Sequence, residues 1–313
     1  MAGVEELAGL ARSDDPEVRG RIASALGTMD DAGALGLLVD MLSDPDHRVR
    51  VTAVRSIGDL RDRNGVEPLL PLLEEEDTEL TCAVLASLAQ IRDERTFAPI
   101  VARLFDLNDD IRKNAAAAAG ALRDPRALEP LLMCLDDPVE WVRANSAWAL
   151  GGLDCPEAVS PLVELADSED TETVRANAVS ALGSIAARGK CGAEKTTEAL
   201  DLVFAVLDDF EELTRVRVAA MIAFAQGFEG ICAEYPQLGV QAFAIIEALA
   251  EDPDNDLRST AAWCLGRMCG RGAAARIGIA DETVEGVRAI LTRLLDDPHE
   301  WCVRYAEESL SLL

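Results

Sequence analysis

Histidine and cysteine are the residues of this chain best suited to bind a metal or act as nucleophiles, and both are sparse or scattered. The histidines are His47 and His299, and only His299 is followed by a carboxylate, Glu300. Eight cysteines are spread along the chain, and Cys264 and Cys269 have no second pair at zinc-ligand spacing. The sequence contains neither a phosphate-binding glycine loop nor a nucleophile elbow. It therefore predicts no catalytic site, no metal and no cofactor.

Four tryptophans are better candidates for a function, as anchors for a protein partner. Trp141 and Trp148 are seven residues apart, so on a helix they lie one above the other. Trp263 and Trp301 occupy equivalent positions in later helices. Exposed aromatic side chains in a groove commonly anchor partners, so we predict that all four bind a partner. Packing of each indole under a neighbouring helix is the structural alternative.

Three asparagines, Asn114, Asn145 and Asn177, form a second regular series, with spacings of 31 and 32 residues. Amides in register could hydrogen-bond an extended peptide, so they are included among the predicted partner-binding residues. They could equally bond to groups within the protein.

The elements that position these residues come from an internal repeat. Its clearest copy is Asp136–Leu153, in which Asp-Pro is followed by Val-Arg and by an alanine-rich run that reaches Leu-Gly. The arginine recurs at spacings of 31 to 46 residues, with Thr81 in one slot. Nine copies at such a period indicate a stacked array. The arginines are Arg19, Arg50, Arg112, Arg143, Arg175, Arg217, Arg258 and Arg304.

Each copy is predicted to form two helices, called A and B. An Asp-rich turn precedes the B helix, because Asp accepts hydrogen bonds from the first N–H groups. The repeat arginine flanks the buried stripe of the B helix, where it can reach the Asp of a neighbouring turn. We therefore predict that the first seven arginines, Arg19 to Arg258, form a structural ladder. The B helices are expected to stop at C′ glycines, namely Gly27, Gly58, Gly120, Gly151, Gly183 and Gly266.

The repeat is regular over residues 1–187 and longer over residues 188–313. Extra residues at 188–197, 227–237 and 270–281 are predicted to be loop insertions on one edge of the array. They either mark a binding face or reflect neutral loop growth. The whole chain, 1–313, is predicted to be one solenoid, since each unit buries its apolar face only against its neighbours.

The Asp-Pro, Val-Arg and Ala-Leu-Gly pattern resembles that of HEAT-repeat proteins of the bilin-lyase-like subclass, and the resemblance covers essentially the whole chain. It implies an all-α, right-handed α-solenoid of about nine helix pairs, with the B helices lining the concave surface. Relatives include bilin lyases and deoxyhypusine hydroxylase, which uses several His-Glu pairs as iron ligands. Only His299-Glu300 matches that motif here, so the resemblance identifies no catalytic residues.

Charge restricts the source and the partners. The net charge is −28, from 57 acidic and 29 basic residues, and the only lysines are Lys113, Lys190 and Lys195. This resembles proteins of extreme halophiles, whose molar salt screens self-repulsion, and it predicts a haloarchaeal source. An acidic mesophilic protein is the alternative. We expect a cytoplasmic protein with reduced thiols and no membrane association, because neither a signal peptide nor a long apolar run is present.

Together these observations predict a non-catalytic scaffold or adaptor that binds a protein partner through the concave B-helix face. A lyase-like or hydroxylase-like HEAT-repeat enzyme is the alternative. Nucleic-acid binding is a third class, and the lack of a basic groove argues against it.

Overall fold

A computed structural model describes residues 4–153, 155–168, 171–188, 192–209, 212–234, 236–270 and 279–313. Within these residues the chain forms helices and no strand, and A and B helices alternate as the repeat predicts. The B helices are α2 (Pro16–Leu26), α4 (His47–Leu60), α6 (Thr78–Ile91), α8 (Asp109–Leu122), α10 (Glu140–Gly152), α12 (Glu172–Ala187), α14 (Thr214–Glu234), α16 (Asn255–Cys269) and α18 (Glu300–Leu310).

The A helices are less regular, most of all in the third to fifth repeats. There α5 (Val66–Leu69), α7 (Phe97–Ala102) and α9 (Leu128–Met133) each lie between two 3₁₀ turns. Each has proline as its third residue, and proline is tolerated in a first turn because it has no N–H to leave unpaired. The other A helices are α1 (Val4–Leu10), α3 (Ala32–Met41), α11 (Val159–Ser168), α13 (Gly192–Asp208), α15 (Pro236–Leu249) and α17 (Asp281–Leu294).

The Asp-rich turns cap B helices, which confirms that prediction. Asp46 accepts a hydrogen bond from the N–H of Arg48 at 2.9 Å, and Asp15 accepts one from Glu17 at 2.9 Å. A second aspartate, Asp44, lies two residues before the cap and accepts from the N–H of Asp46 at 2.8 Å. The same turn bond recurs at Asp106, Asp137, Asp252 and Asp297. The turn therefore holds this second carboxylate in a fixed orientation.

The glycines predicted to end the B helices lie inside them, so that prediction is wrong except at Gly27. Gly58, for example, is within α4, and a Cβ added there would lie 2.8 Å from the Cα of Ser87 in α6. The Ser87 hydroxyl donates to the carbonyl oxygen of Val54 at 2.9 Å across the same contact. Glycine is needed here because the backbones of adjacent B helices approach too closely for a side chain. The others inside helices are Gly120, Gly151, Gly183 and Gly266.

Three B helices end instead at arginines in the left-handed conformation. Arg61, Arg92 and Arg123 follow α4, α6 and α8, and each has a φ of 53°. A left-handed backbone is unfavourable for residues with a Cβ, and glycine or asparagine is usual at this position. The same unfavourable combination therefore occurs at three equivalent sites.

One predicted loop insertion is largely helical. Residues 227–234 continue α14, which is 21 residues long, and α15 begins at Pro236. The helix continues because Phe228 and Ile231 keep helical spacing and are buried. In the first insertion, α13 begins at Gly192. Residues 189–191 and 271–278 of the other insertions lie outside the described ranges, as do Lys190 and Cys191.

The chain divides into two compact units, Met1–Ala149 and Leu150–Leu313. The core of the first unit is built from aliphatic side chains of successive helices. The second unit adds an aromatic cluster, in which the Phe224 ring packs edge-on against Phe204 and Phe228 at centroid distances of 5.5 and 5.6 Å. Each unit therefore has its own core, and a single solenoid over 1–313 stays a prediction.

Candidate partner-binding surface

The repeat arginines connect their own turn to the next one, and Arg112 shows the arrangement most fully. Its Nε and Nη2 donate to the two carboxylate oxygens of Asp137 at 2.7 and 3.1 Å. Its Nη1 donates to the carbonyl oxygen of Asp106, in its own turn, at 3.0 Å. Bidentate pairs between charged groups are among the strongest hydrogen bonds in proteins. Arg19 and Arg258 make the same contacts with Asp44 and Asp297.

Among the residues that the structure describes, the ladder arginines reach an acidic side chain of the next turn in six places. Arg143 donates to the carbonyl oxygen of Asp137, in its own turn, at 2.7 Å. The remaining acidic partners are Asp77 for Arg50, Glu212 for Arg175 and Asp252 for Arg217. The geometry predicted for the ladder is thus present, and its contribution to stability stays a prediction.

Arg304 does not belong to the ladder series. Where an aspartate lies two residues before the cap of a B helix, the ladder arginine of that helix follows the aspartate by six residues. Six residues after Asp297 is Val303, not Arg304. Arg304 is exposed and pairs with Glu308 of its own helix at 3.2 Å. Its guanidinium also lies 5.0 Å from the ring centre of Trp301. It therefore contributes to the surface rather than to the contact between repeats.

Acid should remove the contribution of the ladder to stability. Hydrogen bonds from Arg19 lower the pKa of Asp44, and those from Arg258 lower the pKa of Asp297. A carboxyl group with a lowered folded-state pKa stabilises the protein above its unfolded pKa of about 4, and loses this effect as the pH falls through the folded pKa. We expect the free energy of unfolding to fall below about pH 5 in denaturant titrations. Arg19→Met should make this fall shallower, and an unchanged slope would contradict the assignment.

Three of the four tryptophans are strongly exposed. Trp141 and Trp148 of α10 are 50% and 53% exposed, and Trp301 of α18 is 48% exposed. Trp263 of α16 is half-buried, with the Arg267 guanidinium 5.6 Å from its ring centre. The first two lie in the first unit and the other two in the second. Exposure favours the partner-binding prediction, which remains a prediction for all four.

The position of Trp148 depends on a glycine of the preceding B helix. A Cβ added at Gly120 would lie 2.9 Å from Cζ3 of Trp148 and 2.7 Å from the Cβ of Ala149. The missing side chain in α8 therefore lets the indole lie against the helix backbone. Packing fixes one part of the ring in place and leaves about half of the side chain in solvent.

Asn114 and Asn145 of the asparagine series make contacts within the protein. The Asn145 amide donates to the carbonyl oxygen of Lys113, in the preceding B helix, at 3.0 Å. The Asn114 amide donates to the carbonyl oxygen of Asp110 at 2.8 Å and to the Cys82 sulfur at 3.3 Å. These contacts agree with the alternative that the amides bond to groups of the protein itself. Asn177 is half-buried at the equivalent position of α12. Peptide binding by these residues stays a prediction.

A cleft of about 510 Å³ opens among the B helices of the second unit. Trp301 and Tyr305 form part of its wall, with ring centres 5.8 Å apart. Glu172, Arg215 and Asp256 also line it, so the cleft contains charges of both signs. Its chemistry suits an aromatic or apolar group and does not select a charge.

A groove of about 490 Å³ lies between α6 and α8 in the first unit. Five alanines line it, together with Arg61 and Arg92, and no acidic residue is among its lining residues. These arginines were not among the residues predicted from the sequence, because the helix ends were assigned to glycines. The signal was a Leu-Arg-Asp or Ile-Arg-Asp triplet at 60–62, 91–93 and 122–124. The alanines of the groove are Ala86, Ala89, Ala117, Ala118 and Ala121.

Comparison with known proteins identifies the repeat. A sequence profile described as HEAT repeats matches residues 4–79, 66–151 and 134–225, and a HEAT-like repeat profile matches residues 214–268. The chain belongs to the HEAT-repeat family. Together with the helices described above, this confirms the predicted α-solenoid fold class. No functionally curated protein matches the sequence.

Solved structures with the same HEAT-type fold are distant in sequence. An engineered protein aligns over 99% of this chain and 98% of its own, with 18% identity and a TM-score of 0.50. A chain of the Kap95:Nup1 complex aligns over 99% of this chain with 14% identity and a TM-score of 0.64, and this chain spans 47% of its length. The CpcE–CpcF phycocyanin lyase of Nostoc sp. PCC7120 covers 80% of this chain and 95% of its own, with 19% identity and a TM-score of 0.47. The structural similarity to the Kap95:Nup1 chain supports the fold alone and no activity.

The candidate reactive residues make structural contacts in the HEAT array. Across the described ranges, no group of three or more His, Cys, Asp or Glu residues has an arrangement that could hold a metal. The two ring nitrogens of His47 contact different carboxylates of the next repeat, Asp77 at 3.0 Å and Glu79 at 3.1 Å. Burial raises the pKa of Cys134 to about 11, so this thiol is protonated at neutral pH. None of the helices described is both long and apolar enough to cross a membrane.

Proposed function

We propose that this HEAT-repeat chain is a non-catalytic scaffold or adaptor that binds a protein partner through its B-helix face. The observation that carries the proposal is the pair Trp141 and Trp148, both about half exposed on α10. Their separation of seven residues places them about 10 Å apart along the helix axis. Trp263 and Trp301 are proposed to extend the contact within the second unit.

Covering the two indoles of α10 would favour binding strongly. A packed tryptophan buries about 150–250 Å², so half exposure leaves roughly 100 Å² of each side chain in water. At about 25 cal/mol per Å², the pair would contribute about 5 kcal/mol before the costs of association. Interfaces usually depend on a few such aromatic anchors. An exposed pair of which Trp148 lies against Gly120 has the properties of an anchor.

Fold and charge also support a protein partner. The similar chain in the Kap95:Nup1 complex belongs to a protein–protein assembly, so the fold is compatible with this role. The net charge of −28 disfavours nucleic acid, because its phosphates would be repelled. We further propose a halophilic, cytoplasmic setting.

The double variant Trp141→Ala/Trp148→Ala should keep its fold and lose its partner. Wild type and variant would be immobilised and exposed to lysate of the source organism in molar KCl, and captured proteins identified by mass spectrometry. The protein missing from the variant would then be purified and titrated calorimetrically against both forms. We expect binding to be at least about 10-fold weaker for the variant, because interface anchors contribute more than about 1 kcal/mol each.

Leu107→Ala is the matched control, since Leu107 is an apolar residue 101% exposed in the turn before α8. It should capture and bind the partner like wild type. Equal binding by the double variant would show that the tryptophans are not the contact site. A large drop in the melting temperature of the double variant would instead show that Trp141 and Trp148 are needed for folding.

A further inference from the structure

We infer that the groove of the first unit binds an extended acidic segment of a protein partner through a row of arginines. The arginine row consists of Arg61, Arg92 and Arg123. The inference rests on the proposed function, because it specifies the partner chemistry for one part of the B-helix face.

The arginine row follows the repeat and borders the alanine-lined groove. Its members are 31 residues apart, and each directly follows the last residue of a B helix. Arg61 and Arg92 line the groove between α6 and α8, and Arg123 occupies the equivalent position one repeat further on. Arg61, Arg92 and Arg123 are all exposed. The row therefore presents one guanidinium per repeat.

These three guanidinium groups have no acidic partner among the residues that the structure describes, in contrast to the ladder arginines. The contrast matters because the chain has 57 acidic residues and only 29 basic ones. The groove nevertheless has two arginines and no acidic residue in its lining. Its local charge is thus opposite to that of the protein as a whole, and it complements an anionic ligand.

The backbone at the row indicates that the arginine side chain itself is needed. A φ of 53° suits glycine, which has no Cβ to clash, and is unfavourable for arginine. Three successive repeats accept this unfavourable conformation with the same side chain. Strain that persists at equivalent positions is a reason to look for a function at those positions. A cation near a helix C-terminus also has a favourable dipole interaction, which the experiment below separates from binding.

The spacing of the row specifies the shape of the ligand. Neighbouring helices pack about 8–10 Å apart, so successive guanidinium groups are separated by about that distance. A polyproline II segment rises about 3.1 Å per residue and repeats every three residues, which places every third side chain about 9.3 Å apart on one face. An extended segment with Asp or Glu at every third residue would therefore offer one carboxylate to each arginine. The alanines leave room for the backbone, and Gln90 and Asn114 provide polar groups beside it.

The probe is a fluorescein-labelled peptide with four Glu-Pro-Pro repeats, titrated with the full chain in about 0.15 M KCl and followed by fluorescence polarisation. The comparison peptides are four Gln-Pro-Pro repeats and a peptide of the same composition with its four Glu residues contiguous. We expect saturable binding of the first peptide only. The triple variant Arg61→Gly/Arg92→Gly/Arg123→Gly should bind it about 30-fold more weakly, from roughly threefold per surface charge contact.

Two controls separate binding from folding and from net charge. Glycine accepts the left-handed backbone, so the triple variant should melt no lower than wild type. If it melts lower, Asn at the same three positions replaces Gly, since Asn also tolerates this conformation. The variant Arg12→Gln/Arg21→Gln/Arg63→Gln also removes three positive charges, but from exposed sites outside the row, and should bind the peptide like wild type.

No binding by wild type up to about 1 mM peptide, binding of both Glu peptides alike, or full binding by a folded triple variant would each overturn the inference. The proposed function would survive any of these results if capture that depends on Trp141 and Trp148 persisted. If the peptide bound to the arginine row but no partner capture depended on Trp141 and Trp148, the tryptophan proposal would be wrong and the inference about the arginine row would stand.

Discussion

Replacing Gly58 with alanine should lower the free energy of unfolding by about 2 kcal/mol, even though alanine is the better helix former. The added Cβ would lie 2.8 Å from both the Cα and the Cβ of Ser87, and 2.5 Å from Oε1 of Gln90. The glutamine side chain can move away. The Ser87 atoms cannot, because the Cα is part of the α6 backbone and the hydroxyl is hydrogen-bonded to the carbonyl oxygen of Val54. Overpacking of this kind typically costs about 1–3 kcal/mol, more than the 0.5–1 kcal/mol gained in helix propensity.

The matched control is Gly36→Ala in α3. Gly36 is exposed in a helix interior, and a Cβ added there would meet nothing within 4 Å. The same substitution should therefore stabilise the protein by about 0.5–1 kcal/mol through helix propensity alone. The free energy of unfolding of both variants would be measured by urea titration followed by circular dichroism. Effects of the same sign at the two sites would show that the close approach of α4 and α6 is not what requires glycine.

Replacing Arg112 with methionine should cost about 2–3 kcal/mol of stability. Methionine retains most of the apolar stem, so the change isolates the guanidinium. The Arg112 and Asp137 side chains are only 14% and 9% exposed, so the variant leaves a poorly solvated carboxylate without its bidentate partner. It also frees the Asp106 carbonyl oxygen that Nη1 of Arg112 had bonded.

Arg21→Met is the control for the Arg112 variant. Arg21 pairs with Glu17 one helical turn away, but both side chains are more than 70% exposed, at 77% and 72%. Exposed pairs of this type contribute about 0.5 kcal/mol or less. Urea unfolding should therefore separate the two variants by about 2 kcal/mol. Similar losses, or none for the Arg112 variant, would mean that the ladder is not a source of stability.

The sequence predicted the helix pairs, the Asp caps and the reach of the ladder arginines because each follows from local chemistry repeated at a fixed period. Asp15 and Asp46 cap helices through bonds to residues two positions away, which any single repeat encodes. The partner of Arg19 is 25 residues away, yet it was predictable because the next repeat presents the same turn. The repeat period therefore made this tertiary contact predictable from the sequence of a single repeat.

The glycines and the helix ends were mispredicted for a physical reason. Leu-Gly before a polar residue is typical of a helix C-terminus, and sequence alone does not show how closely two helix axes approach. Gly58 is followed by two more helical residues, and Arg61 takes the left-handed position that was expected of glycine. Exposure of Trp148 also depends on α8 and α10 together. Such features depend on the distance between elements rather than on the order of residues.

The direction of the ladder bonds has a consequence for how such a chain can change in length. In the regular part, a unit that carries a ladder arginine sends its guanidinium forward to the turn aspartate of the next unit, as Arg19 and Asp44 show, whereas the third unit has Thr81 in that slot. A tandem duplication of one 31-residue unit that has both the arginine and the turn aspartate would therefore create a new junction with both charges already matched. Deletion of a whole unit would rejoin the same two groups. Recombination between repeats could shorten or extend the array without a compensating substitution, whereas an insertion within a unit would separate the partners.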